Sequence, residues 1–585
     1  MLRILRNFRK IDFLLLAGGF LLIAAQVGLE LKMPDYMSEI TKLVQTEGSE
    51  MGDIFKSGGM MLLCALASFI ANIGAGYIFA TISASLSMNT RKKLFDKIER
   101  LDMETVKQFS TSSLITRTTN DITQIQMFVA MGAQMLIRAP MFAIWAISKM
   151  AGKSWQWSTI TAIAVVILLA TIISIMVVVV PRFKIIQKLI DRINGISREN
   201  LKGIRVVRAF NAEKYQEKKF AQANGELTDM QIFNGRMLSI MSPTMYLIMN
   251  GITLAIYISG AYIIANAAGL ERLTLFSDMI VFSTYAMHVI MSFLFVAITL
   301  MILPRAQVSA NRINEVIATK INIQDGSFDD KTAESGTVEF RNVSFKYPDA
   351  EDYLLRDISF RAEKGETVAF IGSTGSGKST LINLVPRFYD ATDGEVFVDG
   401  VNVRDYKLSA LYNRLGYVPQ KAVIFNGSAN DNISYGNNGR GKKSEKEIKA
   451  AAAVAQAKSF IEKMPKKYNE HLAAGGTNIS GGQKQRLAIA RAIARDPEIY
   501  IFDDSFSALD YKTDAALRKA LKEKTGDATC LIVAQRIGTI MHADKIIVLD
   551  EGRCVGMGTH KELLKNCDVY KQIALSQLSK EELNV

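Results

Sequence analysis

The chain is 585 residues long, which is enough for two or three domains that each bury a core. Its net charge of +13 comes from lysines and arginines that are dispersed between apolar runs, so we expect membrane topology rather than a nucleic-acid partner to account for it. The four cysteines form no CxxC pair, which argues against a disulfide framework and against a thiolate zinc site.

Hydropathy divides the chain into two unlike parts. About the first 300 residues contain long apolar runs rich in Ile, Leu, Met and Ala, whereas the rest alternates short apolar segments with charged and glycine-rich ones. We therefore predict a membrane part followed by a soluble part.

Six segments are apolar enough to cross a bilayer, because a helix needs roughly 20 apolar residues to span about 30 Å of hydrocarbon. The two longest connections, residues 83–127 and 181–245, keep apolar residues at helical spacing, which predicts that the spans continue into them as helices. We place the tips of these connections near residues 111–119 and 210–218. The six predicted spans are residues 13–31, 58–82, 128–148, 158–180, 246–265 and 279–303.

The basic residues predict the orientation, since Lys and Arg near span ends stay on the cytoplasmic side. The N-terminal segment and the flanks of both long connections are basic. The loop predicted between the first two spans, residues 32–56, carries five acids, among them Asp35 and Glu47, against three lysines. We therefore expect a multi-pass protein of the bacterial cell membrane, with both termini and the soluble part in the cytoplasm.

The first functional motif of the predicted soluble part is rich in glycine. The predicted strand ETVAFIG runs into GSTGSGKS, which matches GxxxxGK[ST], and a helical segment follows. Such glycines let backbone N–H groups point at phosphate oxygens. The residues of the motif and the one after it are Gly372, Ser373, Thr374, Gly375, Ser376, Gly377, Lys378, Ser379 and Thr380.

The motif predicts a site for ATP and Mg²⁺. Lys378 is expected to contact the β and γ phosphates, and Ser379 is expected to ligate the metal. Asp503 ends the apolar run IYIF and is the predicted second metal-binding residue, although taken alone it is equally compatible with a surface turn. We predict a transmembrane domain over residues 1–320, a polar linker over 321–335, and an α/β P-loop nucleotide-binding domain over 336–585.

The stretch NISGGQKQRLAIARAIARDP lies between the P-loop and the aspartate strand. Its ISGGQ, followed by an amphipathic helix, closely resembles the signature of ATP-binding cassette (ABC) transporters. Six spans with two long connections before such a cassette resemble a half-transporter of the type I ABC exporter fold. This resemblance implies an α-helical six-span transmembrane domain followed by an α/β P-loop domain, and an ATPase-coupled export activity.

The resemblance also implies roles for single residues. Tyr347 matches the aromatic residue that stacks on adenine, with an ordinary strand residue as the alternative, and Gln420 matches the glutamine that senses the metal and the γ phosphate. Asp510 ends the loop SALD, which signals across the dimer. In this family each ATP lies between one subunit's P-loop and the other's signature, so the signature would serve the partner's nucleotide. Its residues here are Ser480, Gly481, Gly482 and Gln483.

Two positions depart from the family pattern. Asp504 stands where the family has the glutamate that polarises the attacking water, and Gln535, in LIVAQRIG, stands where it has the switch histidine. Aspartate draws the carboxylate back by about 1–1.5 Å, a displacement of the order that costs roughly a hundredfold in rate. Either change alone is compatible with neutral drift, but together they predict a degenerate site that hydrolyses ATP weakly.

This chain combines an intact signature with a degenerate hydrolytic site. The combination predicts a heterodimer, because the signature can complete a competent ATP site on a different subunit. The expected partner is a second, non-identical half-transporter with the glutamate and the histidine intact. The predicted function is export of hydrophobic or amphipathic compounds by a multidrug-type pump. Lipid or peptide export, import on the same fold, and an ATP-gated channel or regulatory subunit stay open as alternatives. Arg138 and His288 are the conspicuous ionisable groups in the spans, with substrate contact or packing as their possible roles.

Overall fold

The computed structural model describes residues 2–46, 48–267, 271–329, 331–436, 438 and 441–578. Glu47 of the predicted acidic loop and Asp330 of the predicted linker lie outside the described residues. Contacts divide the chain into two compact units. The first comprises Met1–Arg100 and Phe109–Thr319, and the second comprises Leu101–Gln108 and Lys320–Val585.

The described residues of the first half of the chain form helices joined by short turns, with no strand among them. A π-helical turn, Phe128–Gly132, connects α7 to α8. The helices in chain order are α1 (Leu2–Leu5), α2 (Lys10–Glu30), α3 (Met33–Gln45), α4 (Met51–Ile98), α5 (Met103–Gln108), α6 (Thr111–Thr118), α7 (Asn120–Met127), α8 (Ala133–Met150), α9 (Trp155–Lys202), α10 (Ile204–Ala209), α11 (Glu213–Ser239), α12 (Met241–Ala265) and α13 (Glu271–Ala318).

Six helical segments of the first unit are long and apolar enough to cross a membrane, which confirms the predicted number of spans. Three of them are single helices of 48 residues, so each continues well beyond the roughly 20 residues that a bilayer requires. The segments are Lys10–Gln45, Met51–Ile98, Thr111–Met150, Trp155–Lys202, Glu213–Ala265 and Glu271–Ala318.

The predicted acidic loop after the first span is in large part helix α3, and the prediction of a loop is wrong there. Pro34 lies in the first turn of α3, where its missing N–H leaves no helical bond unmade. The carboxylate of Asp35 accepts a hydrogen bond of 2.6 Å from the Tyr285 hydroxyl and pairs with Lys149 at 2.6 Å. Asp35 therefore joins α3 to α8 and α13.

The second unit contains two main sheets. An antiparallel sheet has the strand order β2-β1-β4-β5, and a larger sheet has the order β12-β11-β3-β10-β9-β6. The strands are β1 (Val338–Phe345), β2 (Leu355–Ala362), β3 (Thr367–Gly372), β4 (Asp393–Val398), β5 (Val401–Asn402), β6 (Leu415–Val418), β7 (Gly427–Ser428), β8 (His471–Leu472), β9 (Ile499–Asp503), β10 (Thr529–Val533), β11 (Lys545–Asp550) and β12 (Arg553–Gly558).

Helices cover the larger sheet, whose central strands are apolar along their length. All five residues of β9 are buried, as expected for a strand covered on both faces. The helices are α14 (Lys378–Asn383), α15 (Leu408–Arg414), α16 (Ala429–Ile433), α17 (Glu445–Val454), α18 (Lys458–Ile461), α19 (Gly481–Arg495), α20 (Tyr511–Lys524), α21 (Ile537–Ile540), α22 (His560–Asn566) and α23 (Asp568–Gln577).

The parallel part of the larger sheet explains how distant motifs meet. Strands β3, β10, β9 and β6 are neighbours that run in the same direction. Their carboxyl ends therefore lie at one edge, where ligands bind in open α/β sheets. The P-loop follows β3, Gln535 follows β10, Asp504 follows β9, and Gln420 follows β6.

Helix α5 belongs to the second unit although it lies between two spans in sequence. Its preceding residue Asp102 accepts a hydrogen bond of 2.9 Å from the backbone N–H of Asn322. The tip predicted at residues 111–119 instead lies in the first unit, in α6 and the residue after it. In the connection of residues 83–127, apolar residues have helical spacing in both α5 and α6. The pattern therefore predicted helices, but it did not indicate which of the two packs with the second unit.

Asp399 is expected to make the stability of the second unit depend on pH. Its buried side chain accepts the Thr337 N–H at 3.0 Å and pairs with Arg414 at 3.1 Å, yet burial, with the nearby Glu498, raises the pKa of Asp399 to about 7. An aspartate in the unfolded chain titrates near pH 4 (about 3.9). The folded protein therefore binds this proton more tightly, and the stability contributed is lost as the pH rises from about 4 to about 7.

In Asp399→Asn the side chain stays neutral at every pH. We expect the unfolding temperature of this variant, relative to the unaltered chain, to rise by roughly 5 °C between about pH 5 and about pH 8. Differential scanning fluorimetry of the full chain in detergent measures this difference. Parallel curves for the two proteins would contradict the assignment of the proton to Asp399.

Candidate nucleotide site

The phosphate loop has the backbone that its glycines predict. Gly375 and Gly377 have φ angles of +90° and +91°, in the left-handed region that favours glycine. A Cβ on Gly377 would lie 2.5 Å from the Leu355 side chain, so no larger residue fits there without a shift. Ser373, Thr374 and Gly375 are exposed at the tip of the loop, and α14 begins directly after Gly377.

Lys378 lies beneath this loop. Its Nζ donates hydrogen bonds to the carbonyl oxygens of Gly372 and Ser373, at 2.9 and 2.7 Å, and to Oγ of Ser376 at 3.3 Å. Burial lowers the pKa of Lys378, and the carboxylates of Asp504 and Asp503 oppose this shift. The ammonium group is thus held against carbonyl oxygens of the loop, which phosphate oxygens would replace as its partners.

Ser379 and Asp503 meet, as their predicted shared metal role requires. The Ser379 hydroxyl donates to Oδ1 of Asp503 at 2.7 Å, and burial raises the pKa of Asp503 while that hydrogen bond opposes the rise. A hydroxyl and a carboxylate at the end of a phosphate loop are oxygen ligands of the kind that Mg²⁺ takes together with ATP phosphates. These residues fit Mg²⁺ with ATP, and the metal would neutralise charge on the β and γ phosphates.

Tyr347 lies in an aromatic corner. Its hydroxyl is 3.0 Å from Oγ1 of Thr380, the residue after Ser379 in α14, and its ring packs edge-on to Tyr389 with centroids 5.5 Å apart. Nζ of Lys107, from α5, lies 5.1 Å from the centroids of both rings. The predicted adenine platform is thereby tied both to the phosphate loop and to the helix that leads to the spans. Sequence reasoning missed Tyr389 and Lys107, because neither belongs to a motif.

Asp504 is held by two of the glutamines that the sequence singled out, Gln535 and Gln420. Its Oδ2 accepts hydrogen bonds from Nε2 of Gln535 at 2.9 Å and from Nε2 of Gln420 at 3.3 Å. The backbone of Asp504 is in the left-handed region, with φ of +45°, and its N–H donates to the Val533 carbonyl at 3.0 Å. Asp504 is buried, with 8% of the residue exposed, so its carboxylate faces the site rather than bulk water.

A further glutamine positions the segment that carries Gln535. Nε2 of Gln577, in the last described helix, donates to the Gln535 carbonyl at 2.7 Å, and its Oε1 accepts the Ile537 N–H at 2.8 Å. Both polar ends of one amide therefore hold this loop. The sequence carries no signal for this contact, because it joins residues 42 positions apart through tertiary packing.

The signature residues form a capping box at the start of α19. Oγ of Ser480 accepts the Gln483 N–H at 3.3 Å, and Oε1 of Gln483 accepts the Ser480 N–H at 2.9 Å. The side-chain oxygen of Gln483 is therefore engaged within its own helix. The N–H groups of Gly481 and Gly482, in the first turn, are the ones that a helix leaves for an external acceptor.

The loop containing Asp510 lies beside the signature. A Cβ on Gly482 would lie 3.2 Å from the Ala508 carbonyl oxygen, so the two segments pack closely. Asp510 is exposed and caps α20 by accepting the Thr513 N–H at 2.9 Å. Hydrogen bonding to the Thr513 side chain, and then to this N–H, lowers the pKa of Asp510. Among the described residues, no hydrogen bond joins the signature to the phosphate loop of the same chain. The predicted nucleotide residues thus form two groups.

Both parts of the chain match known families. Residues 355–507 match the ABC transporter family, and residues 14–293 match the ABC transporter transmembrane region. A solved structure, described as a bacterial Atm1-family ABC exporter with ATP bound, is similar with a TM-score of 0.79 at 24% identity. The match covers 96% of this chain and 98% of the chain in the solved structure.

Curated relatives match almost end to end. An uncharacterized ABC transporter ATP-binding protein of Mycobacterium bovis is 38% identical over 551 residues, which is 93% of each chain. A second such protein, from Bacillus subtilis, is 35% identical over 97% of each chain. An ATP-dependent lipid A-core flippase of Pseudomonas aeruginosa is 32% identical over 87% of this chain and 82% of the relative.

Proposed function

Because this chain belongs to the ABC transporter family and is an exporter half-transporter with six spans and one cassette, we propose that it is the degenerate-site subunit of a heterodimeric pump. The pump would export hydrophobic or amphipathic compounds. The observation that carries the proposal is the Asp504 carboxylate, which two glutamine amides hold in a site whose phosphate loop and metal-binding pair are complete.

Two features of Asp504 support slow hydrolysis at this chain's own P-loop. The side chain is one methylene shorter than glutamate, so its carboxylate stays further from a water in line with the γ phosphate. The oxygen Oδ2 already accepts two N–H bonds, which leaves it fewer lone pairs for a water proton. Gln535 supplies a neutral amide where an imidazole would act near the phosphate. ATP is then held here for long periods.

The signature would act on the partner's nucleotide. Gly481 and Gly482 present N–H groups at the positive end of α19, a helix of 15 residues, and a helix N-terminus attracts the charge of a phosphate. The Ser480 hydroxyl keeps its own proton available for donation, because its oxygen is only an acceptor in the capping box. This chain would thereby complete the competent site of a non-identical subunit.

Helix α5 offers a route from the nucleotide to the spans. Lys107 stands over Tyr347, and the chain passes from this helix through Arg100 into α4. Closure of the cassettes around ATP would therefore move the end of a span, and hydrolysis at the partner's site would reset the cycle by alternating access. The aromatic residues Phe210 and Tyr215 of the second connection are 78% and 67% exposed, which suits a tip that docks on the partner.

The membrane arrangement follows the basic residues of the sequence. We place the cassette and both termini in the cytoplasm, in a bacterial cell membrane. A second candidate cargo is a lipid, which the flippase name of several relatives favours. The apolar spans suit either cargo, since both are amphipaths that enter from the bilayer.

The proposed function is tested by purifying the chain alone and together with a half-transporter that carries the glutamate and the histidine. We expect the complex to couple ATP hydrolysis to export from proteoliposomes, and the chain alone to turn over ATP at least about tenfold more slowly, because two copies would have two degenerate sites. Fast, transport-coupled ATP hydrolysis by the chain alone would refute the proposal. Ion currents in the complex without transport-coupled turnover would favour a channel instead.

A further inference from the structure

A basic surface lies beside the start of the first span. Residues 3–10, which precede and begin α2, contain four lysines and arginines and no acid, and two lysines of α4 lie next to this segment. All six side chains are exposed. The basic surface consists of Arg3, Arg6, Arg9, Lys10, Lys92 and Lys93.

Asn7 joins the segment before α2 to α4. Its backbone carbonyl accepts a hydrogen bond from Nδ2 of Asn89 at 3.2 Å, and its own Nδ2 donates to Oγ1 of Thr90 at 3.2 Å. Its Oδ1 accepts from Nζ of Lys93 at 3.2 Å. Ile4, in α1, is fully buried. The basic residues before α2 therefore belong to a packed surface rather than to a loose tail.

Acidic groups near the basic surface compensate little of its charge. Asp12 is fully buried, and its Oδ2 accepts the Arg9 N–H at 2.8 Å and the Ser85 hydroxyl at 3.0 Å. Nε of Arg9 lies 3.7 Å from the same oxygen, so Asp12 offsets the charge of Arg9. The next acid on α4, Asp96, is four residues beyond Lys92, which is about 6 Å further along the helix axis.

The other free charges of the basic surface have no countercharge within the described chain. The side chains without a hydrogen-bond or ion-pair partner among the described residues are Arg3, Arg6, Lys10 and Lys92. Like charges that packing holds on one surface repel one another. An anion from outside the protein therefore stabilises this surface.

The boundary of the bilayer crosses the protein at the basic surface. Lys10 is the first residue of the first membrane-spanning segment. Ile11, Phe13 and Leu14 follow it and are 57%, 58% and 73% exposed. Exposed apolar side chains on a span face lipid chains, whereas basic side chains at its end reach the headgroups. The basic surface is thus at the level of lipid phosphates.

Charge and position together select the kind of lipid. A phosphatidylcholine headgroup carries its own cation, so it gains little from a basic surface. An anionic headgroup has no such cation, and each lysine or arginine near an anionic membrane surface strengthens association about fivefold. Basic pockets between spans on the cytoplasmic side bind anionic headgroups in the same way.

We propose that the basic surface binds an anionic phospholipid, whose phosphate lies between the segment before α2 and α4 and whose acyl chains lie along Ile11, Phe13 and Leu14. In the proposed orientation this lipid belongs to the cytoplasmic leaflet. It is a partner of the protein within the bilayer and is distinct from the exported compound.

The test measures lipid binding to the full chain by native mass spectrometry in detergent. The probes are dioleoylphosphatidylglycerol and dioleoylphosphatidylcholine, which have the same acyl chains, and the equilibrium constant of the first bound lipid is compared. We expect the phosphatidylglycerol to bind at least about tenfold more tightly. Arg6→Gln and Lys10→Gln should each weaken its binding about fivefold, and the double variant should abolish the preference.

Lys214→Gln with Lys218→Gln is the matched control, because it removes the same charge from two exposed lysines at the tip of the second long connection. It should leave the preference unchanged. Arg6→Lys with Lys10→Arg keeps both charges and should retain the preference, which separates charge from any effect on folding. Equal binding of the two lipids, a preference that survives Arg6→Gln with Lys10→Gln, or an equal loss in the control would overturn the proposal.

A headgroup without acyl chains distinguishes a lipid from a soluble phosphate. The compound sn-glycero-3-phosphoglycerol has the same phosphodiester charge but no chain to lie along the exposed apolar residues of α2. We expect it to leave phosphatidylglycerol bound when the two are present at equal concentration. Displacement with the affinity of the lipid itself would overturn the proposal in favour of a soluble anion.

These outcomes are separable from failure of the proposed function. Lipid binding is measured without nucleotide and without transport, so equal binding of the two lipids would leave the proposed pump untouched. A complex that fails to couple ATP hydrolysis to export would refute the pump and leave the lipid preference standing.

Discussion

Replacing Asp504 by Glu together with Gln535 by His is expected to raise ATP hydrolysis at this chain's own P-loop by about a hundredfold. The longer side chain moves the carboxylate forward by about 1–1.5 Å, a distance that is worth this factor when a reacting group is misplaced. The second substitution also removes an amide that donates to Oδ2 of Asp504 at 2.9 Å. The carboxylate then keeps only the longer contact from Gln420, at 3.3 Å in the unaltered chain, and accepts a proton from water more readily.

The measurement needs a complex in which only this site can turn over. A partner with glutamine in place of its catalytic glutamate provides it, and single-turnover release of phosphate reports the rate. We expect Asp504→Glu alone to give a smaller gain, because the Gln535 and Gln420 amides stay within reach of the new carboxylate. An unchanged rate in the double variant would contradict the account of the degenerate site.

Asp357→Glu is a suitable control for backbone strain. Asp357 is exposed and has a φ of +49°, close to the +45° of Asp504, but it lies on β2 outside the site. If Asp357→Glu and Asp504→Glu lower the stability of the protein equally, the lost stability is caused by a longer side chain at a position with positive φ. The change in hydrolysis would then be assigned to the position of the carboxylate alone.

Gly481→Asp is expected to lower ATP turnover of the complex at least a hundredfold while leaving this chain's own fold and ATP binding intact. A Cβ at Gly481 meets no described atom within 4 Å, so the substitution introduces no clash within the chain. An acid in the first turn of α19 stabilises the helix by about 0.3–1 kcal/mol. In the complex, that carboxylate would face the γ phosphate on the partner, where two unit charges 4 Å apart repel by about 4 kcal/mol at an effective dielectric constant of 20.

The matched control is Gly481→Asn, which has nearly the same shape without the charge. We expect it to retain far more turnover than Gly481→Asp, since only the charged variant opposes a phosphate. Steady-state hydrolysis by the complex measures the loss, and nucleotide binding to this chain alone shows whether its own P-loop is unaffected. Equal turnover in Gly481→Asp and the unaltered complex would mean that this signature does not meet the partner's nucleotide.

Much of the architecture was predictable, because it depends on short-range patterns. The length of an apolar run decides whether a helix crosses a bilayer, so the six spans follow from hydropathy alone. The spacing of GSTGSGKS between a strand and a helix sets the shape of the phosphate loop, and its positive φ angles occur at Gly375 and Gly377. The identities of Asp504 and Gln535 are likewise facts of sequence.

Tertiary structure alone decided which residues meet across long separations. Lys107 lies over the Tyr347 ring, and Gln577 donates a hydrogen bond to the Gln535 carbonyl. Arg138 pairs with Glu30, which is 108 positions away in the sequence. None of these pairs has a local spacing, because each forms only when separate elements pack together. A motif fixes backbone shape within a few residues, whereas the partner of a side chain depends on how whole helices and strands are arranged.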